Sequence, residues 1–156
     1  MCNASEEFFT KPLTDYRKFG YEKQNDEVVY DSGNIPTELF EIVSLFEADN
    51  EQPLESIKLL GNKFEINGRR FGKNKLEFVI TLRNNMLQLE VVEFIHEGQG
   101  NFHKLYEILK EIQKKYKLNK IFFHAVYTQK MHEICEHYNL RLVEKYADGR
   151  ADYEEP

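Results

Sequence analysis

Apolar residues recur with two different periods along this chain, and the clearest change of period follows residue 95. Residues 75–82 and 86–95 are rich in β-branched and aromatic residues and are joined by the polar turn Arg83-Asn84-Asn85, which predicts an antiparallel hairpin. After the segment HEGQGNF (96–102), apolar residues return at every third or fourth position until Tyr116. That spacing predicts an amphipathic helix.

Weaker patterns on either side of this hairpin and helix predict further elements. An apolar stripe after Pro36 predicts a helix of about three turns, and residues 56–71 alternate loosely around a turn expected at Asn67-Gly68. Residues 120–127 are apolar almost without interruption, as in a strand covered on both faces. The remaining predicted elements are a short strand at 27–33, a helix capped by Thr128 and a closing strand at 140–146.

The predicted order of elements defines the fold class. Strands and helices alternate from residue 86 onward, and parallel strands joined through a helix need a right-handed crossover that places the helix on one face of the sheet. We expect an α/β (α+β) fold whose mixed, mostly antiparallel sheet is flanked by helices. Residues 1–156 are predicted to form one domain, with residues 1–35 as a polar, irregular arm.

Composition and charge narrow the class of protein. The chain is 41% hydrophobic and carries 12 Phe and 9 Tyr, which is typical of a folded protein because disordered chains are poor in aromatic residues. A net charge of -6 does not favour binding to nucleic-acid phosphates. The sequence has no long apolar run and no signal-peptide pattern, and it has only two cysteines, so we expect a cytoplasmic protein with no membrane segment.

The histidines and cysteines do not form a metal-binding pattern. HEICEH resembles the zinc-protease motif HExxH, but His132 and His137 are five residues apart and would point about 140° away from each other on a helix. The two cysteines are far apart in the sequence, so no metal is expected. His124 interrupts an apolar strand, a position more typical of a hydrogen-bonded core histidine than of a functional one.

The order of elements from about residue 27 to residue 146 resembles that of the GNAT acyltransferase superfamily. The family motif at the strand-to-helix turn is Gln or Arg, two variable residues, Gly, one variable residue, then Gly or Ala. Aligned on the helix that follows, Gly100 falls at the first required glycine, whereas Glu97 and Phe102 depart from the motif. A second family motif, which ends in Tyr and then Gly-Phe, aligns Cys135 with the tyrosine.

The resemblance implies a coenzyme A site at the turn. Helix N-termini expose backbone N–H groups and a positive dipole end that bind phosphates, and glycines let a phosphate approach the chain. The implied cofactor-binding residues are Val92, Phe94, Gly98, Gln99, Gly100, Asn101, Phe102 and His103. For the catalytic groups, the resemblance implies Glu93 or His96 as the base for an attacking amine and Tyr138 or Cys135 as the acid for the departing thiolate. The apolar stripe that contains Cys135 is also typical of core packing.

Two hypotheses of different classes follow. The first is an acyltransferase that moves an acetyl or other acyl group from coenzyme A to an amine. The second is a GNAT-like fold without cofactor binding, which acts as an acidic protein-binding module, such as an inhibitor or accessory factor; the run ADYEEP at the end is a weak sign of such acidity. A homodimer is compatible with either hypothesis.

Overall fold

The computed structural model describes residues 22–24, 27–29, 37–60, 63–96 and 99–156. Most of the predicted N-terminal arm, as well as Glu97 and Gly98 of the turn, lies outside the described residues. The described helices are α1 (Thr37–Asn50), α2 (Asn101–Tyr116) and α3 (Gln129–His137). The described strands are β1 (Glu22–Gln24), β2 (Glu27–Val29), β3 (Ser56–Leu60), β4 (Lys63–Phe71), β5 (Asn74–Arg83), β6 (Met86–Glu93), β7 (Ile121–Val126), β8 (Arg141–Lys145) and β9 (Ala151–Glu154).

These strands form a single sheet in the order β1-β2-β3-β4-β5-β6-β7-β9-β8. Neighbouring strands are antiparallel, except that β6 and β7 are parallel. The chain passes from β6 to β7 through α2, as a parallel connection requires. The prediction of a mixed, mostly antiparallel sheet with flanking helices is confirmed.

Large apolar side chains from α1, α2 and the central strands fill the core. The ring of Phe46 in α1 stacks on Phe94 with centroids 4.7 Å apart and lies 4.8 Å from Phe78 of β5. The buried face of α2 consists of Phe102, Leu105, Tyr106, Leu109 and Ile112, which belong to the stripe that the spacing of apolar residues predicted. None of the helices in the described ranges is both long and apolar enough to span a bilayer.

The prediction of a turn at Asn67-Gly68 is wrong. Both residues lie inside β4, where the register with β5 shifts, and the chain reverses instead at Gly72, whose φ is +61°. A Cβ at position 68 would lie 2.5 Å from Asn50 Oδ1, and that oxygen accepts the N–H of Arg69 at 2.7 Å. A glycine is therefore needed at position 68 because α1 and β4 approach each other closely there. Short-range sequence signals do not distinguish a glycine in such a contact from a glycine in a turn.

The C-terminal segment forms a strand that the sequence pattern did not predict. β9 lies between β7 and β8, and Asp152, Glu154 and Glu155 are at most 9% exposed. Acidic residues are depleted in strands, so the sequence favoured a charged end instead. The buried carboxylates are compensated by partners: Glu154, for example, pairs with Lys120 and Arg141.

Glu155 ties α2 to the start of β7. Its carboxylate accepts hydrogen bonds from Tyr106 at 2.9 Å, Lys110 at 2.6 Å and Gln113 at 2.8 Å, all on α2, and from the N–H of Ile121 at 2.9 Å. Burial by itself would raise the pKa of Glu155, but the donors outweigh burial and hold the pKa below the usual 4.5. The charged carboxylate therefore stabilises the folded state.

Glu155→Gln is expected to lower the free energy of unfolding at neutral pH by about 1.5–3 kcal/mol, the usual contribution of hydrogen bonds to a charged group. Because the folded pKa is lowered, this stabilisation is fully present above pH 4.5 and is lost as the pH falls through the folded pKa. Denaturant titrations at neutral and acidic pH should show the two proteins converging in acid. Glu111→Gln, on the exposed side of α2, is the control, and equal losses in both variants would contradict this account.

Candidate functional site

The sheet opens between β6 and β7. These parallel strands pair over three positions, from Leu87 opposite Ile121 to Leu89 opposite Phe123. Both strands then continue to the ends of their ranges without further pairing to each other. The register between β5 and β6 shifts at Leu89, and that between β7 and β9 shifts after Phe123. Such bulges bend the strands that carry them, so β6 and β7 separate where both are irregular.

The gap between the separated strands widens into a cleft of about 980 Å³. Its walls are the ends of β6 and β7, the first turn of α2, and α3 with Tyr138 after it. Apolar side chains such as Val92 and Met131 line it together with titratable groups such as Glu93 and His103. A volume of this size and a mixed lining are typical of sites for small molecules or cofactors.

The first turn of α2 brings backbone N–H groups to this cleft. Gly100 is the N-cap residue, with φ of 77° and no hydrogen bond from a capping side chain. The N–H groups of Asn101, Phe102 and His103 have no partner within the helix, since the first helical bond runs from Lys104 N–H to Gly100 O at 3.1 Å. A Cβ at Gly100 would meet no atom within 4 Å, so open space lies in front of this helix end.

Phe102 forms part of the floor of the cleft. Its ring packs against Phe123 of β7, with centroids 5.8 Å apart, and against Tyr138 at 6.3 Å. The side chain is 8% exposed, so it belongs mainly to the core beneath α2. The ring therefore closes the bottom of the gap and leaves the cleft in front of the helix end open.

A buried carboxylate holds the segment that leads from β6 into α2. Asp49, near the end of α1, has a fully buried side chain. It accepts hydrogen bonds from the N–H groups of Ile95 at 2.6 Å and His96 at 2.9 Å, and from the side-chain amide of Asn101 at 3.2 Å. Carboxylate hydrogen bonds of this kind are strong. The start of α2 is thus positioned by α1.

The strand order, the parallel pair that separates and the helix that begins at the gap agree with the order of elements on which the resemblance in the sequence is based. This architecture resembles that of the GNAT superfamily. The opened strand pair β6 and β7 and the N-terminus of α2 lie side by side at the cleft.

No protein-family model and no curated protein sequence matches the chain. An acetyltransferase from Thermus thermophilus is 12% identical, with a TM-score of 0.47 over 99% of this chain and 93% of that chain. Escherichia coli ElaA is 11% identical, with a TM-score of 0.46 over 83% of this chain and 99% of that chain.

A third similar structure was solved with coenzyme A. The PaiA N-acetyltransferase from Thermoplasma acidophilum is 13% identical, with a TM-score of 0.40 over 60% of either chain. Identities and TM-scores of this size concern the arrangement of strands and helices and carry no information about activity.

Most of the site residues predicted from the sequence meet at this cleft. The cleft is lined by Val92, Glu93, Phe94, Gly100, Asn101, Phe102, His103 and Tyr138. Gln99 is exposed and does not belong to the lining, and Gly98 lies outside the described residues. In the described ranges, no group of three or more potential metal ligands occurs.

His96, one of the two predicted bases, does not line the cleft. Its ring lies between two carboxylates, with Nδ1 at 3.0 Å from Asp49 and Nε2 at 2.9 Å from Glu51. Both ring nitrogens therefore have acidic partners, and the side chain belongs to the support behind the turn. The sequence places His96 next to the turn but does not show that carboxylates at the end of α1 and just after it face both nitrogens.

The two predicted acids lie in different environments. Cys135 has no exposed surface, does not line the cleft, and has a pKa raised by burial to about 12. Tyr138 lines the cleft, and its hydroxyl lies 2.6 Å from His103 Nδ1. Burial, with a smaller effect of Glu107, raises the pKa of Tyr138, so its hydroxyl keeps its proton at neutral pH. Only Tyr138 of this pair can donate a proton into the cleft.

His124 has a position that the sequence interpretation missed. Instead of lying in the core, its side chain is 43% exposed and lines the cleft on β7. The signal was present in the sequence, because Ile121 and Phe123 define the buried face of the strand and His124 falls on the other face. The nearby carboxylate of Asp152, at 3.2 Å from Nδ1, had no such signal because β9 was not predicted.

Asp49→Ala is expected to loosen the segment that leads into α2. The N–H groups of Ile95 and His96 lose their acceptor, and a buried donor without a partner costs about 1–3 kcal/mol. Amide hydrogen exchange should become faster at these two positions, and the free energy of unfolding should fall. Glu41→Ala, on the exposed side of α1, is the control. Unchanged exchange at Ile95 and His96 would show that Asp49 does not hold this segment.

Proposed function

We propose that this GNAT-fold protein is an acyltransferase that moves an acetyl or other acyl group from coenzyme A to an amine. The observation that carries the proposal is the gap between β6 and β7, with the unpaired first turn of α2 at its edge. An opened strand pair offers backbone groups to an extended ligand, and a helix N-terminus offers N–H groups and a positive dipole end to a phosphate. The two features adjoin in one cleft.

The residues at the cleft fit coenzyme A. A pyrophosphate would be held by the N–H groups of Asn101, Phe102 and His103, in front of which the missing side chain of Gly100 leaves open space. The exposed Lys130, at the start of α3, adds a positive charge to the opposite wall. The apolar side chains of Val92 and Phe94 belong to the lining next to the open edge of β6, where a thin, uncharged chain would lie.

The reaction requires a proton donor and a proton acceptor in this cleft. When bound, acyl-coenzyme A supplies an acyl group activated as a thioester. Tyr138 donates a proton to the departing sulfur, because its hydroxyl is protonated at neutral pH and lines the cleft. Glu93, at the end of β6, provides a carboxylate in the lining of the cleft.

The positions of the C-terminal carboxylates argue against the alternative function, an acidic protein-binding module. Asp152, Glu154 and Glu155 are buried and accept hydrogen bonds from within the fold. They are therefore not available as an acidic surface for a protein partner. The amine acceptor, a protein partner and a homodimer stay predictions from the sequence.

Acetyl-coenzyme A is expected to raise the melting temperature of the protein. At a ligand concentration about 100 times the Kd, the native state gains about 2.7 kcal/mol, which corresponds to a rise of several degrees. Gly100→Trp should abolish the rise by filling the space before α2. Gly72→Trp is the matched control, because Gly72 also has a positive φ and open space around it but lies in the turn after β4. No rise at millimolar acetyl-coenzyme A would contradict the proposed function.

A pair of variants distinguishes between the two candidate acids. Tyr138→Phe should lower kcat about 10²- to 10⁴-fold, the usual contribution of a positioned acid, and should preserve the thermal shift with acetyl-coenzyme A. Cys135→Ala should keep kcat and lower the melting temperature, because it removes a core side chain. Thiol release from acetyl-coenzyme A measures kcat. Loss of kcat in Cys135→Ala with Tyr138→Phe active would reverse the assignment.

A further inference from the structure

His124 and Asp152 form a pair at the point where β7 leaves β6. His124 Nδ1 lies 3.2 Å from Asp152 Oδ1, and the aspartate side chain is 7% exposed whereas the histidine side chain is 43% exposed. His124 and Ala125 together oppose Asp152, because the register between β7 and β9 shifts from Phe123–Tyr153 to Val126–Ala151. The pair is thus a consequence of the bulge that opens the cleft.

The carboxylate of Asp152 is held by hydrogen bonds on both of its oxygens. Its Oδ1 accepts the N–H of Ala125 at 2.7 Å, and its Oδ2 accepts the hydroxyl of Tyr146 at 2.7 Å. Ala125 has a φ of 50°, a left-handed conformation that costs roughly 1–3 kcal/mol for a residue other than glycine. The surrounding contacts maintain this unfavourable conformation, as is common at functional sites.

The contact with Asp152 involves Nδ1 of the His124 ring. With Nδ1 next to Asp152, Nε2 lies on the far side of the ring, and the side chain is exposed within the lining of the cleft. A buried carboxylate that selects the Nδ1–H tautomer leaves Nε2 as a proton acceptor. This combination of an orienting acid and an accessible imidazole is a general arrangement for base catalysis.

The proposed acid and His124 lie on different sides of the sheet. Tyr153 and Glu155 of the C-terminal segment contact α3 and α2, so the alternation of side chains places Asp152 and its neighbour His124 on the opposite face. Tyr138 packs against Tyr106 of α2, with ring centroids 4.4 Å apart. A group that accepts a proton from an amine and a group that donates one to a thiolate thus face the gap from opposite sides.

From this geometry we infer that His124, oriented by Asp152, is the general base for the amine acceptor, an inference that rests on the proposed acyltransferase function. The amine nitrogen forms a bond to the acyl carbon while the bond between that carbon and sulfur breaks. His124 Nε2 takes one proton from the nitrogen, and Tyr138 gives one proton to the sulfur. Asp152 is a positioning residue, since it contacts the imidazole and not the substrate.

The tautomer of His124 tests the orientation without any need for activity. Nitrogen NMR of isotope-labelled histidine, assigned with His124→Gln, should show the Nδ1–H form in the wild-type protein and a shift towards the Nε2–H form in Asp152→Asn. Chymotrypsin-like proteases show, as a general case, that an Asn in place of such an aspartate favours the wrong tautomer. An Nε2–H tautomer in the wild-type protein would overturn the inference even if the protein is an active acyltransferase.

Kinetics test the role of the pair. With acetyl-coenzyme A and lysine, spermidine and tyramine as acceptors, His124→Gln should lower kcat about 10²- to 10⁴-fold and keep the thermal shift with acetyl-coenzyme A. Added imidazole should restore part of the rate. Because His124 is exposed, this variant is expected to fold, even if Asp152→Asn does not.

The variant Glu93→Gln tests the competing hypothesis that Glu93 is the base. If Glu93→Gln loses activity and His124→Gln does not, Glu93 is the base and the inference is overturned. A wild-type protein that binds acetyl-coenzyme A but releases no thiol with any of the amines would overturn the catalytic role of His124. A wild-type protein that does not bind acetyl-coenzyme A would reject the proposed function itself, and the NMR measurement would still decide whether Asp152 orients the imidazole.

Discussion

Buried carboxylates accept hydrogen bonds from backbone N–H groups at the ends and at a bulge of the strands β6 and β7. Asp49 accepts the N–H groups of Ile95 and His96 beyond the end of β6. Asp152 accepts the N–H of Ala125 at the bulge of β7, and Glu155 accepts that of Ile121 at the start of this strand. A buried N–H without a partner is costly, so these carboxylates stabilise the irregular parts of both strands.

These hydrogen bonds help to explain how a cleft can exist in the middle of a sheet. The gap between β6 and β7 has an edge on each side, and each edge is held by a carboxylate from a different element, α1 on one side and β9 on the other. The start of α2 is anchored to the same Asp49 through Asn101. The positions of the helix N–H groups and of the strand edges are therefore coupled, as pre-organised binding requires.

The same interactions show that the acidic composition does not produce an equally acidic surface. A net charge of -6 suggests an acidic surface, but several of the acidic residues are buried and are bound to Lys, Arg, Tyr or backbone donors. Within the cleft, Lys130 and Glu93 line different walls. Net charge is therefore a poor guide to function in this chain, because burial rather than number decides which charges face a partner.

The sequence by itself determined the main helix, the hairpin before it and the order of elements that indicates the fold, because these depend on the local period of apolar residues. It also located the turn around Gly100, but it left the choice between Tyr138 and Cys135 open. It did not distinguish Gly68, which lies in a close contact, from a glycine in a turn. It also did not reveal β9. The acidic residues of that segment are stable in the fold only when distant partners such as Lys110 and Arg141 compensate their charge. The tertiary structure alone decided that β6 and β7 separate, that His96 faces two carboxylates, and that His124 and Asp152 meet at the cleft, since each of these features depends on contacts between residues far apart in the chain.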